Sequence, residues 1–209
     1  MFIIIIIYVC VSILGIVHYK NLSDAFKGVA WFLWFTSFIE IVMGAMAYAQ
    51  IPNTPIAHIY TILIGPAYFL IYRHLLNSTS GWRWIQLLFI LLFIFCIINS
   101  LILEKSPLMP THGINADNLV VITCALLLYL KMLSEPGEKP LWYHSIFWLN
   151  TGIFFYNCST FFVFTMLNHF YRNQYSTDLL STTNFVMCCV FYIILGFSLW
   201  LNYRERKHG

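Results

Sequence analysis

Charge is what this sequence has least of. Only 9% of its 209 residues are Asp, Glu, Lys or Arg, against 60% hydrophobic and 19% aromatic. A soluble domain carries about 25% charged residues, so a water-exposed globule is excluded and a bilayer is the solvent that fits. Catalytic signatures are missing too. There is no H-E-x-x-H, no G-x-S-x-G, no phosphate-binding Gly loop, no Cys/His zinc spacing and no Arg-rich voltage-sensing spacing. The last apolar stretch has no Lys, which removes a rhodopsin-type Schiff base. Cys10, Cys96, Cys124, Cys158, Cys188 and Cys189 all fall inside apolar stretches, where they read as small packing residues rather than disulfide partners. Asn157-Cys158-Ser159 matches a glycosylation sequon but lies inside a helical stretch and is discounted. The expectation is a non-enzyme without metal, cofactor or nucleic-acid partner.

What is present in quantity is long apolar runs. A bilayer-spanning helix needs ~20 mainly apolar residues, and seven stretches qualify: about 2–19, 28–49, 56–76, 82–103, 117–133, 141–167 and 180–203. The fifth is the shortest. The fold class expected is an all-α integral membrane protein, one seven-helix domain over residues 1–209. Met1 to Tyr19 lacks a basic n-region and a small-x-small cleavage site, so it reads as a retained helix rather than a signal peptide.

Basic residues orient the bundle. With the N-terminus outside, the inner segments hold Lys20, Lys27, Arg73, Arg83, Lys131, Lys139, Arg204, Arg206 and Lys207, and the outer ones only Lys105 and Arg172. The positive-inside rule then places the C-terminus inside. Trp31, Trp34, Trp82, Trp84, Trp142, Trp148 and Trp200 lie in the inner halves of their helices, where an aromatic belt belongs. The location expected is a bacterial inner membrane.

A weak internal repeat runs through the chain. Lys20-Asn21-Leu22-Ser23-Asp24 follows helix 1 and Lys131-Met132-Leu133-Ser134-Glu135 follows helix 5. Trp34-Phe35-Thr36-Ser37 matches Trp148-Leu149-Asn150-Thr151, and Tyr72-Arg73 matches Tyr203-Arg204. The pattern suggests a 3+1+3 parallel repeat, with helix 4 joining two three-helix units, as in some transporters. The longest outer loop is expected to run from Glu104 to Asp117.

One acidic residue is read as lying well inside an apolar segment: Glu40. An ionisable group at that depth costs several kcal/mol, from about 2.5 upward, and is a functional candidate by default. Ser37 and Gly44 share its helix face at i−3 and i+4. Its expected company is His58 and Tyr60 on helix 3, Asn99 on helix 4, Tyr156 and Asn157 on helix 6 and Asn184 on helix 7, all in the middle or outer half. His58 is the one histidine close enough in depth to form a Glu–His pair with Glu40. Gly65-Pro66 interrupts helix 3 at mid-span and is a hinge candidate, since Pro removes an i→i−4 hydrogen bond. Interhelical glue is the competing reading for each Asn, Ser and Thr.

Glu138-Lys139-Pro140-Leu141-Trp142, followed by Phe147-Trp148-Leu149-Asn150-Thr151-Gly152-Ile153-Phe154-Phe155-Tyr156, resembles a pattern in small seven-helix membrane proteins of Bacteroidota-type bacteria. The family is similar to membrane regions that precede histidine-kinase output domains. The resemblance rests on helix 6 and the loop before it, and implies a sensory or accessory membrane module. With no output domain in these residues, a separate partner would read out the signal. The function expected is sensor-like: a small or lipidic ligand enters an outward-facing polar pocket and shifts helix packing. Small-solute transport, proton-coupled through Glu40, is the first alternative. A structural or assembly subunit is the second. The partners expected are the lipid bilayer, the ligand, and a signalling protein or a second copy in a homodimer.

Overall fold

The computed structural model describes residues 2–79, 81–106, 108–135 and 140–208, with the side chains of 2–5, 168, 171–172 and 208 outside the described set. Lys139, the Arg172 side chain and the start of the helix 6 loop (Glu138, Lys139) therefore lie outside the described residues.

Among the described residues seven α-helices follow one another: α1 (Phe2–His18), α2 (Asp24–Tyr48), α3 (Thr54–Leu76), α4 (Trp82–Ile98), α5 (Thr111–Ser134), α6 (Ser145–Arg172) and α7 (Asp178–His208). No strand occurs among the described residues. Six helices are long and apolar enough to cross a bilayer, and α1, at 17 residues, is shorter. The molecule is thus a helical, multi-pass membrane-type protein. Its periphery carries many exposed large apolar side chains, among them Ile16, Trp84, Leu101, Leu130, Phe162 and Leu179. In water such a surface would drive association; against lipid tails it is matched to its solvent.

The helices pack as a ring in chain order, α1–α2–α3–α5–α6–α7, which closes where α7 meets α1. Helix α4 is left out of the ring and lies against α3 and α5. The centre is filled by fully buried residues of several helices, including Phe26, Leu33, Tyr72, Val121, Leu149 and Leu195. Because consecutive helices alternate in direction, one face of the bundle gathers Lys20, Lys27, Arg73, Arg83, Lys131, Arg204, Arg206 and Lys207. We call this the basic face, and the opposite one the far face.

One sequence expectation needs correction. The segment at 117–133 is not the shortest: α5 has 24 residues and starts at Thr111, so the far-face loop ends well before Asp117. The cause is a cap supplied from a distance. Glu104, itself buried, accepts hydrogen bonds from Thr111 Oγ1 (2.6 Å), His112 N (2.9 Å) and Asn99 Nδ2 (3.0 Å). A carboxylate on the free N–H groups of a first turn favours helix. The turn before Glu104, Asn99–Leu103, is a π-helix that ends α4 and aims the carboxylate back at α5.

The basic face is tied by side chains. Glu205 of α7 accepts from Ser145 N (2.7 Å) and Ser145 Oγ (2.5 Å) at the start of α6. One turn earlier, Asn202 donates to Ser145 Oγ (3.2 Å) and accepts from Ser23 N (3.1 Å), just ahead of α2. Lys131 of α5 donates to Leu75 O (2.8 Å) and Ser78 Oγ (2.7 Å) at the end of α3. Deeper in, Asn150 accepts from Tyr72 Oη (3.2 Å) and donates to Ala125 O (2.9 Å), joining α3, α5 and α6.

Candidate functional site: an acidic cavity in the far half

The far half of the ring encloses a cavity of about 280 Å³. Five helices line it. Glu40 and Met43 come from α2, Tyr60, Ile64 and Tyr68 from α3, and Ile114, Asp117 and Asn118 from α5. Tyr156, Asn157, Thr160 and Phe164 come from α6 and Asn184 from α7. Residues three and four apart lie one above another on a helix face, which is why α2, α3, α5 and α6 each contribute a short stripe.

The sequence candidates divide. Glu40, Tyr60, Tyr156, Asn157 and Asn184 line this one cavity. The other four are placed elsewhere. Ser37 is buried but points to α1, sharing a hydrogen bond with Ser12 Oγ at 3.1 Å. Gly44 has open space where a Cβ would be. His58 is buried with Nε2 on Leu108 O (2.9 Å), so it holds the far-face loop and makes no pair with Glu40. Asn99 is buried in the Glu104 cap. Glu40 is an exposed residue that contributes to the lining.

The reading of Glu40 as the one acid at depth is overturned by Asp117. With α5 starting at Thr111, Asp117 lies about two turns inside the helix, roughly 9 Å from its start. It is only 3% exposed. Its Oδ1 packs on Gly65 in the middle of α3, where an added Cβ would sit 2.9 Å away. Its Oδ2 receives only a long contact, 3.9 Å, from the Cys96 thiol. Helix α3 runs without interruption past Pro66, and Gly65 gives the room that lets the carboxylate approach its backbone.

Three polar atoms around the cavity have no hydrogen-bond partner among the described residues: Asp117 Oδ1, Asn118 Nδ2 and Asn184 Oδ1. Each such buried group costs about 1–3 kcal/mol, more when charged. Packed interiors contain few of them. The walls between are ordered. Asn157 donates to Ile153 O (2.7 Å) and Tyr68 Oη (3.3 Å), and Thr160 donates to Tyr156 O (2.7 Å). The Tyr156 ring stacks on Phe191 at 4.3 Å. A cavity with an ordered wall of polar and aromatic side chains is the geometry of a binding site.

A larger groove of about 1040 Å³ runs between α4 and α5. It is open along the flank, with five leucines, Ile85 and Trp84 in its wall, and Lys131 at its end is already bound to α3. It matches a lipid-facing furrow better than a site. Among the described residues, no group of three or more His, Cys, Asp or Glu side chains is arranged to hold a metal ion.

Comparison of the chain with family models, curated proteins and solved structures gives no significant match. The site is therefore read from its own geometry. Sequence reasoning missed Asp117, Asn118, Tyr68 and Thr160. The signal for two of them was present: Asn115-Ala116-Asp117-Asn118 runs directly into an apolar helix, and a polar tetrapeptide there can be a helix's first turns as well as a loop's end.

Proposed function

We propose that this protein is a sensor-like module of a bacterial inner membrane, with its N-terminus outside and the basic face inside. It binds a small ligand in the far-half cavity and passes a change in helix packing to a partner at the basic face. The observation that carries this reading is one cavity lined by polar and aromatic side chains of five helices. The positive-inside distribution supports the orientation. The resemblance of helix 6 to membrane regions ahead of histidine kinases supports a sensory role.

The structure offers a route from site to readout. Three of the helices that line the cavity are tied to one another at the basic face. Helix α7 carries Asn184 at one end and the Asn202–Glu205 clamp at the other, α6 carries Asn157 and Ser145, and α2 carries Glu40 and follows Ser23. A ligand that draws Asn184 toward Asp117 tilts α7, and the clamp carries that tilt to the inner ends of α2 and α6.

Native mass spectrometry of protein released from mild detergent tests the reading. The wild type should retain a small molecule that Asp117→Asn and Glu40→Gln lose in whole or part. Equal spectra for all three proteins would remove the site.

A second reading, small-solute transport, is favoured by the ring itself. Two three-helix units joined by α4 would produce contacts of α3 with α5 and of α7 with α1, with α4 left outside. Uptake into proteoliposomes that depends on a solute or proton gradient would select it.

A further inference from the structure

We propose that the basic face carries a binding site for the phosphate of an anionic phospholipid, formed where the turn after α1 meets the end of α7. The site is separate from the far-half cavity and does not depend on it. Lys20 and Asn21, in the turn Tyr19–Asn21, line one pocket of about 290 Å³ with Tyr203, Arg206 and Lys207 of α7. Every lining side chain ends in a polar group, three are cations and none is a carboxylate. The cations come from segments far apart in the sequence, so the fold brings them together rather than a local charge run.

Contacts beneath the pocket hold its two walls in register. Leu22, 1% exposed, anchors the turn in the core. Ser23 N donates to Asn202 Oδ1 (3.1 Å), and Arg206 lies one turn further along α7. The His18 ring stacks on Tyr203 with centroids 4.0 Å apart, which joins α1 to α7 directly. The cations themselves are left for a ligand. Asp24 is paired with Lys27 at 2.9 Å, and Glu205 is taken by Ser145. Elsewhere on the basic face, Lys131 is bound to α3 and Arg204 lies over the Trp200 ring at 4.8 Å. Lys20, Arg206 and Lys207 are exposed and form no ion pair among the described residues. Lys207 has only the Tyr203 ring, 5.8 Å away.

The lining sets the ligand's chemistry. Ammonium, guanidinium, amide and phenol groups are all donors, and charged donors make their strongest hydrogen bonds to carboxylate or phosphate oxygens. Three like charges around one pocket also repel, and an anion between them removes that cost. Position selects the source. Basic pockets between helices on the inner side of a membrane hold lipid head groups, and this one lies between α1 and α7 on the proposed inner face. Along the same two helices toward the bilayer, α1 exposes Ile13, Ile16 and Val17, and α7 exposes Phe197 and Trp200. Acyl chains cover such side chains, and a soluble anion does not. About 290 Å³ is roughly ten times the ~30 Å³ that one water takes in the liquid, which admits a phosphate with its glycerol. A lipid seated here ties the end of α1 to the end of α7.

The test is a titration of the full chain in mild detergent with phosphatidylglycerol or phosphatidylcholine, read by native mass spectrometry. One phosphatidylglycerol should bind saturably, with phosphatidylcholine at least about tenfold weaker. The pair Lys20→Gln and Lys207→Gln should weaken phosphatidylglycerol at least about tenfold. The pair Arg73→Gln and Arg83→Gln removes the same charge from exposed positions elsewhere on the basic face, and should leave that binding within about twofold. All three proteins should melt at the same temperature, since the replaced side chains are exposed. Equal weakening by both pairs would reduce the effect to the overall charge of the face and overturn the site, as would no weakening by either. Inorganic phosphate at millimolar concentration should not displace the lipid; displacement would overturn the lipid in favour of a soluble anion.

Discussion

At the scale of single residues, the site depends on a missing side chain as much as on those present. Gly65 is the place where Asp117 approaches α3, and a methyl group there would meet Oδ1 at 2.9 Å and Leu92 Cδ2 at 3.3 Å. Gly65→Ala should therefore cost about 1–3 kcal/mol as overpacking and reduce ligand retention, because α5 must shift to make room. Gly44 supplies the control. Nothing lies within 4 Å of its would-be Cβ, so Gly44→Ala should be neutral or stabilising by up to about 1 kcal/mol through helix propensity. Thermal melts of both variants in detergent, with and without ligand, check the contrast; equal behaviour would mean that the Gly65–Asp117 approach is unimportant. Asp117 and Glu40 also differ in kind. One is buried and one exposed.

At the scale of elements, helix ends decide more than helix interiors. The start of α5 is fixed by Glu104 from seven residues upstream, and the start of α6 by Glu205 from the far end of the chain. Each carboxylate meets free N–H groups at a helix N-terminus, a favourable arrangement. Glu205→Ala removes bonds to both Ser145 N and Ser145 Oγ, and a loss of about 1–3 kcal/mol is expected. The informative readout is separate from stability. If the clamp couples α7 to α2 and α6, amide exchange near Ser23 and Ser145 should rise in Glu205→Ala and no longer respond to ligand. Unchanged exchange at those positions would confine the clamp to a static role. Caps of this kind explain why helix boundaries were the weak point of the sequence reading: the capping residue is remote, so no local pattern announces it.

At the scale of the whole molecule, the ring of six helices with α4 outside gives a far half with a cavity and a basic half closed by side-chain ties. Asn150, Asn202, Glu205 and Lys131 all serve those ties. Reporter fusions at residue 209 should be active only as cytoplasmic reporters; an external C-terminus would invert the proposed orientation and put the cavity on the wrong side for an outside signal. Ligand should also raise the melting temperature of the whole bundle, since the cavity draws on five of its seven helices.

The all-α class, the order of the helices and the gathering of the described basic residues on one face were legible in the sequence, while of the seven spans expected six are long and apolar enough to cross a bilayer. Each follows from composition and chain direction, which act locally. A run of apolar residues must satisfy its backbone internally in lipid, and consecutive spans must alternate. The membership of the site was legible only in part. Glu40, Tyr60, Tyr156, Asn157 and Asn184 share the cavity, while Ser37, on the same face as Glu40, turns to α1, and His58 turns to a loop. Depth along a helix can be counted from the sequence, but rotation about its axis is set by the neighbours it packs against. That is why only the tertiary structure brought in Asp117: the Glu104 cap extended α5, and the Gly65 notch gave its carboxylate a place to stand.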